Sequence, residues 1–204
     1  MRASTIHYAV PVKLHTLDYD AFCLSGIGLS RELFNKAVKG YEHLLKKGMI
    51  ANDAVLTIID YSRPSVFKRL FILDMQKGTV LFNSLVAHGR NSGGVYASDF
   101  SNVPESGKSS LGFYITLNTY IGANGYSLKL KGCEKGINDN ALGRAIVLHG
   151  ADYVSEAFIR NCGYLGRSLG CPAVPQSIHK KIIDTIKNGS CVFIYHSAKK
   201  YSKG

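Results

Sequence analysis

Hydrophobic and polar positions follow two different periods along this chain, and the change comes at Ala54. Before it, Leu33, Phe34, Ala37, Val38, Tyr41, Leu44 and Leu45 recur at helical spacing behind Ser30, a candidate N-cap, and Gly48 is placed to stop the helix. This predicts one amphipathic helix over residues 30–48, whose apolar stripe packs on the main body; residues 17–25 carry no clear period. After Ala54 the apolar positions fall into short runs rich in β-branched and aromatic residues, the pattern of buried strands. Strands are expected at 55–60, 69–74, 79–88, 113–116, 126–130, 145–149 and 191–195. Arg63-Pro64, Gln76-Lys77-Gly78 and Asn124-Gly125 supply turns between them. Two long polar segments, 89–110 and 131–143, read as loops, and loops of the first length inside a domain are often functional. A short helix is expected over 151–160 and a second over 175–187, where Ile178, Ile182, Ile183 and Ile186 share a face and Asn188-Gly189 ends the element. The fold class is therefore mainly β with flanking helices, without internal repeats or a low-complexity linker.

Composition narrows this picture. A length of 204 residues with 46% hydrophobic and 19% charged residues, 12 Tyr and 9 Phe is enough for one packed domain and argues against disorder over most of the chain. Twenty-five Lys and Arg against 14 Asp and Glu give a net charge of +11, which suits a polyanionic neighbour or simply solubility, since Lys36, Lys39, Lys46, Lys47, Lys199, Lys200 and Lys203 fall near the ends. No interleaved basic-aromatic sheet motif and no helix-turn-helix signature is present, which argues against a nucleic-acid partner. No apolar run approaches a membrane span, so no integral membrane segment is expected. The first residues lack the apolar core of a secretory signal, and a chain beginning after a removed signal would read the same way. Five cysteines, an odd number, leave at least one thiol unpaired, and the absence of Cys-x-x-Cys argues against a zinc site. Cys191 lies in an apolar run and reads as a buried hydrophobe; Cys133 and Cys162 read as structural or spare, and Cys23 has no assigned role.

The remaining cysteine sits in Arg167-Ser168-Leu169-Gly170-Cys171-Pro172, 22 residues after His149-Gly150. A thiol needs a base or a positive neighbour to become a nucleophile at neutral pH. His149 ends an expected strand and is followed by glycine, which leaves its ring open to a cleft. The N–H groups of Gly170 and Cys171 are candidate oxyanion donors, contacts typically worth roughly 3 to 4 kcal/mol of barrier. Arg167 could support the thiolate or hold a substrate carboxylate. His88-Gly89 is a second strand-end histidine that could line the same cleft. Singly, a cysteine after glycine is more often a small buried residue, and a strand-end histidine a hydrogen-bonded structural one. Their combination in this order, with Ser168 in the turn, makes cysteine acyl transfer the leading reading.

Ile146-Val-Leu-His149-Gly150 followed by Ser168-Leu-Gly-Cys171 resembles the His-Gly and Ser-x-Gly-Cys motifs of the L,D-transpeptidase catalytic domain (YkuD-type) family, most closely its murein L,D-transpeptidase branch. Leu85-Val-Ala-His-Gly89, Ser109-Ser-Leu-Gly112, Tyr126-Ser-Leu-Lys-Leu-Lys-Gly132 and Gly166-Arg-Ser-Leu-Gly-Cys-Pro-Ala-Val174 share in the likeness, which covers residues 50–196. The resemblance implies a β-sandwich-like catalytic domain over 50–204, preceded by an N-terminal extension, 1–49, that carries the helix. It implies an exported enzyme of the periplasm or cell envelope, acting on peptidoglycan stem peptides with no metal or organic cofactor. Cys171 would attack the carbonyl between the third and fourth stem residues, and His149 would act as base and then acid. Gly170, Ser168, Arg167, Gly150 and His88 would line the oxyanion and substrate side. An amine acceptor gives a cross-link; water gives L,D-carboxypeptidase-like trimming; and a catalytically inactive wall-binding module is the remaining alternative. This chain departs from the family pattern in three places. Pro172-Ala173-Val174 stand where many members carry Arg, Leu169 stands where others have His or a polar residue, and the His149–Cys171 interval is long.

Overall fold

The computed structural model describes residues 18–197. His7, His15, Lys199, Lys200 and Lys203 lie outside the described residues. A short 3-10 turn, Leu24–Ile27, leads into helix α1, Arg31–Lys46. Both predicted ends of α1 are built as read: Ser30 Oγ accepts from Leu33 N–H at 3.2 Å. At the other end Gly48 takes φ +67°, its N–H bonding to Leu45 and that of Met49 to Leu44. That pairing satisfies carbonyls the helix would otherwise leave open.

Eight strands follow: β1 (Val55–Asp60), β2 (Leu70–Asp74), β3 (Thr79–Ser84), β4 (Gly112–Gly122), β5 (Gly125–Gly132), β6 (Val147–Ala151), β7 (Ala173–Pro175) and β8 (Cys191–Tyr195). Helix α2 (Glu156–Cys162) lies between β6 and β7, and α3 (His179–Ile186) between β7 and β8. All strands join one sheet in the order β3-β2-β1-β8-β4-β5-β6-β7, antiparallel except for the β1–β8 and β6–β7 pairs. The expected mainly β fold with a helix ahead of it is what forms.

Strands β1, β2 and β8 are buried on both faces, which is why they read as unbroken apolar runs. Their alternate residues feed two cores. Leu56, Ile58, Phe71, Leu73, Phe193 and Tyr195 meet α1 on one face. Ile59, Leu70, Ile72, Val192 and Ile194 meet Leu128, Leu130, Leu148 and the isoleucines of α3 on the other. Helix α3 touches β1 as well as β5 and β6, so the sheet curls around it and gains a second layer without breaking.

Three predicted elements are shorter than expected. The third strand ends at Ser84, the last residue paired with β2; beyond it the buried Arg69 guanidinium takes the Val86 carbonyl, and Ala87 bridges to Ala173. The helix expected from 151 begins only at Glu156, because Ala151 still pairs with β7 and Ser155 caps the helix, accepting from Phe158 N–H at 3.2 Å. Pro175 is likewise the last residue of β7, so α3 starts at His179.

Gly40, inside α1, marks the closest approach of helix and sheet: a Cβ built there would lie 1.9 Å from the Phe113 ring, which stacks on Phe193 at 4.2 Å. Alanine favours a helix over glycine by about 1 kcal/mol, yet overpacking costs about 1 to 3 kcal/mol. Gly40→Ala is expected to lower the melting temperature in thermal unfolding, against the helix-propensity trend.

Candidate active site

Parallel pairing sets His149 against Ala173 and Gly150 against Val174. Cys171, two residues before Ala173, therefore arrives level with Val147, and its sulfur accepts from Val147 N–H at 3.5 Å. The thiol lies 3.7 Å from the Ala145 carbonyl, its hydrogen-bond acceptor. That carbonyl is aimed by the left-handed backbone of Ala145, φ +54°. Cys171 is partly exposed, and burial raises its thiol pKa, opposed by the Val147 N–H and the Arg144 charge.

His149 is buried, and its Nδ1 lies 2.9 Å from the Gly150 carbonyl. A carbonyl only accepts, so Nδ1 carries the proton and Nε2 keeps its lone pair. Burial lowers the His149 pKa, the Gly150 bond opposes this, and His179 lowers it further. The imidazole is therefore neutral at neutral pH and in the tautomer a general base needs. Among the described residues no hydrogen bond joins it to the sulfur.

The turn ahead of the cysteine is held by Ser168. Its Oγ accepts from Gly170 N–H at 3.1 Å and donates to the Cys171 carbonyl at 2.6 Å. This corrects the expectation for Gly170: its N–H is spent inside the turn and is no oxyanion donor. The Cys171 N–H has no acceptor among the described residues and faces no such competition. Gly170 has another duty. At φ +128°, a Cβ there would stand 2.8 Å from the Lys108 carbonyl, so only glycine fits. Gly150 is equally confined, since a Cβ would fall 2.3 Å from Gln176 Oε1 and 2.6 Å from His179 Cγ.

His88 does not line a cleft. It is fully buried, with Nδ1 2.7 Å from an Arg69 Nη2 donor and Nε2 3.3 Å from the Gly93 carbonyl. Arginine only donates, so Nδ1 accepts and Nε2–H faces Gly93. Burial first, then the Arg69 charge, push the His88 pKa down to about 4. Its backbone carbonyl, in contrast, serves the site by accepting from Ser168 N–H at 3.0 Å. Arg167 is half-buried; it donates to the Gly93 carbonyl at 3.1 Å and stacks over Tyr164 at 5.1 Å.

Two residues escaped the sequence reading. Ser109 donates to the Gly170 carbonyl and accepts from Gly89 N–H, each at 3.0 Å, pinning the long loop under the cysteine turn. The Ser109-Ser-Leu-Gly112 stretch was the available signal. Arg144 forks into the same loop, reaching the Ser101 carbonyl at 2.7 Å and the Lys108 carbonyl at 2.6 Å. All five cysteines are free thiols, and no cluster of potential metal ligands occurs among the described residues.

The sequence profile of the L,D-transpeptidase catalytic domain family matches residues 26–195, and the chain belongs to that family. No curated protein matches by sequence. Among solved structures, an L,D-transpeptidase from Mycobacterium smegmatis is 13% identical, with a TM-score of 0.42, covering 70% of this chain and 58% of that one. The helical cell shape determining protein Pgp2 from Campylobacter jejuni is 13% identical, with a TM-score of 0.48, covering 72% and 49%. LdtMt1, solved in complex with imipenem, is 12% identical, with a TM-score of 0.44, covering 70% and 59%. The chain thus spans about half to three-fifths of the length of these proteins.

The buried His88 makes stability depend on pH. Below its ordinary value of 6.5 the unfolded chain takes up a proton that the native site refuses until about 4. Stability is therefore expected to fall as pH drops through this window and to level off below it, by on the order of 3 kcal/mol for this group. His149 adds to the fall in the same direction. In His88→Gln, urea unfolding measured across this pH range should show a flatter slope.

Proposed function

We propose that this chain is a cysteine L,D-transpeptidase of the bacterial cell envelope, acting on peptidoglycan stem peptides. The observation that carries the reading is the His149 tautomer, fixed by Gly150 beside the strand that delivers Cys171. In the reaction, the Cys171 thiol leaves the Ala145 carbonyl and gives its proton to His149 Nε2. The thiolate attacks the carbonyl between the third and fourth stem residues, and the oxyanion faces the Cys171 N–H. Collapse breaks the peptide bond, the His149 imidazolium protonates the departing amine of the terminal residue, and a thioester remains. An acceptor amine then attacks the thioester, gives its surplus proton to His149, and releases the thiolate as the new amide forms.

Family membership supports the substrate class and the envelope setting. No helix among the described residues is long and apolar enough to cross a membrane. Arg167, Ser168, Gly170 and Gly150 act here as the frame of the turn and the strand rather than as direct substrate ligands.

Incubation with a carbapenem is expected to add one adduct mass to the intact chain, localised to the Cys171 peptide and abolished by Cys171→Ala. His149→Gln should slow the addition by about 10²- to 10⁴-fold. Labelling of another thiol with Cys171 intact would overturn the reading. With a tetrapeptide stem and an amine acceptor, product masses distinguish cross-linking from trimming by water.

A further inference from the structure

The sequence suggested Arg167 as the cation of the site, but the geometry points to another residue. Arg144 immediately precedes Ala145, whose carbonyl touches the Cys171 sulfur, and lies three residues before Val147, whose N–H touches it too. Its guanidinium donates to the Lys108 carbonyl at 2.6 Å, to the Ser101 carbonyl at 2.7 Å, and to Ser106 Oγ and Ser110 Oγ at 3.2 and 3.3 Å. The same Lys108 carbonyl presses against Gly170, so the guanidinium is one peptide oxygen away from the residue ahead of the nucleophile.

None of these four partners carries a charge. The other titratable and charged groups around the sulfur offer no rival. Lys108 is ion-paired with Asp99. His149 is held neutral by burial, and His179 stands beyond it over Gly150. Burial pushes the phenols of Tyr61 and Tyr153 up to about 12, so both are neutral. Arg144 is part-buried and forms no ion pair with any described carboxylate. Guanidinium remains charged under all ordinary conditions.

We propose that Arg144 is the electrostatic positioning residue of the Cys171 centre: its uncompensated charge favours the thiolate, while its fork holds the 101–110 segment against the cysteine turn. The inference rests on Cys171 being the nucleophile, but its test needs neither substrate nor carbapenem.

The experiment follows iodoacetamide alkylation of the Cys171 peptide by mass spectrometry as a function of pH, with peptide-level resolution separating it from the exposed Cys23 and Cys162. Arg144→Gln keeps an amide donor for the Lys108 carbonyl but removes the charge; Arg144→Lys keeps the charge but removes the fork. The glutamine variant is expected to move the alkylation midpoint up by about one pH unit, and the lysine variant to return most of that shift. A native midpoint in the glutamine chain overturns the proposal. Equal upward shifts in both variants also overturn it, because they make the fork rather than the charge responsible. A purely structural role would lower the melting temperature and leave the midpoint in place. If the glutamine chain does not fold, Arg144→Met, which preserves the aliphatic volume, gives the same reading. A wild-type chain that carbapenem leaves unmodified would sink the proposed function while leaving the Arg144 result readable.

Discussion

The parallel pairing of β6 with β7 is the junction on which the site depends. Parallel neighbours cannot be joined by a tight turn, so the chain must leave the sheet and return. The crossover contains α2, and it accounts for the long interval between His149 and Cys171. Only three register pairs make this junction, and it is braced from outside by Ala87 and Gly89, which bridge to Ala173 and Ser168. Residues 87–89 thus belong to the active site through their backbone.

The electrostatics around the sulfur oppose one another. Burial favours the thiol, as does the Ala145 carbonyl that accepts its proton, whereas the Val147 N–H and the Arg144 charge favour the thiolate. Two histidines are neutral for the same physical reason, desolvation, yet they end in opposite roles. His149 spends one nitrogen on Gly150 and keeps the other. His88 spends both, because the buried Arg69, stacked over Tyr61 at 4.9 Å, takes the nitrogen a base would have used. The sequence puts both at strand ends, but in the structure His149 is the buried middle residue of β6 and His88 lies beyond the end of β3; what separates their roles is the cation folded beneath His88.

Features set by local chemistry were legible in the sequence. The Ser30 cap, the Gly48 stop, the β1 and β8 runs and the Cys171–His149 motif all depend on residues close together or on a resemblance specific to them. Strand β7 was not, because three residues ending in proline carry no period and acquire strand geometry only by docking beside β6. The duties of Ser109, Arg69 and Arg144 were hidden for a related reason: each depends on which loop lands under the cysteine turn. The use of the Gly170 N–H could have been anticipated, since serine hydroxyls commonly capture the amide two residues on.

Strand β8 comes last in chain order yet lies at the middle of the sheet, between β1 and β4. Within the sheet the β3-β2-β1 meander and the β4-to-β7 ribbon meet across it, while α3 and the Ala87 and Gly89 bridges join the two halves from outside. The pairings of β8 with β1 and β4 join segments far apart in the chain, the kind of contact whose loop-closure entropy slows folding.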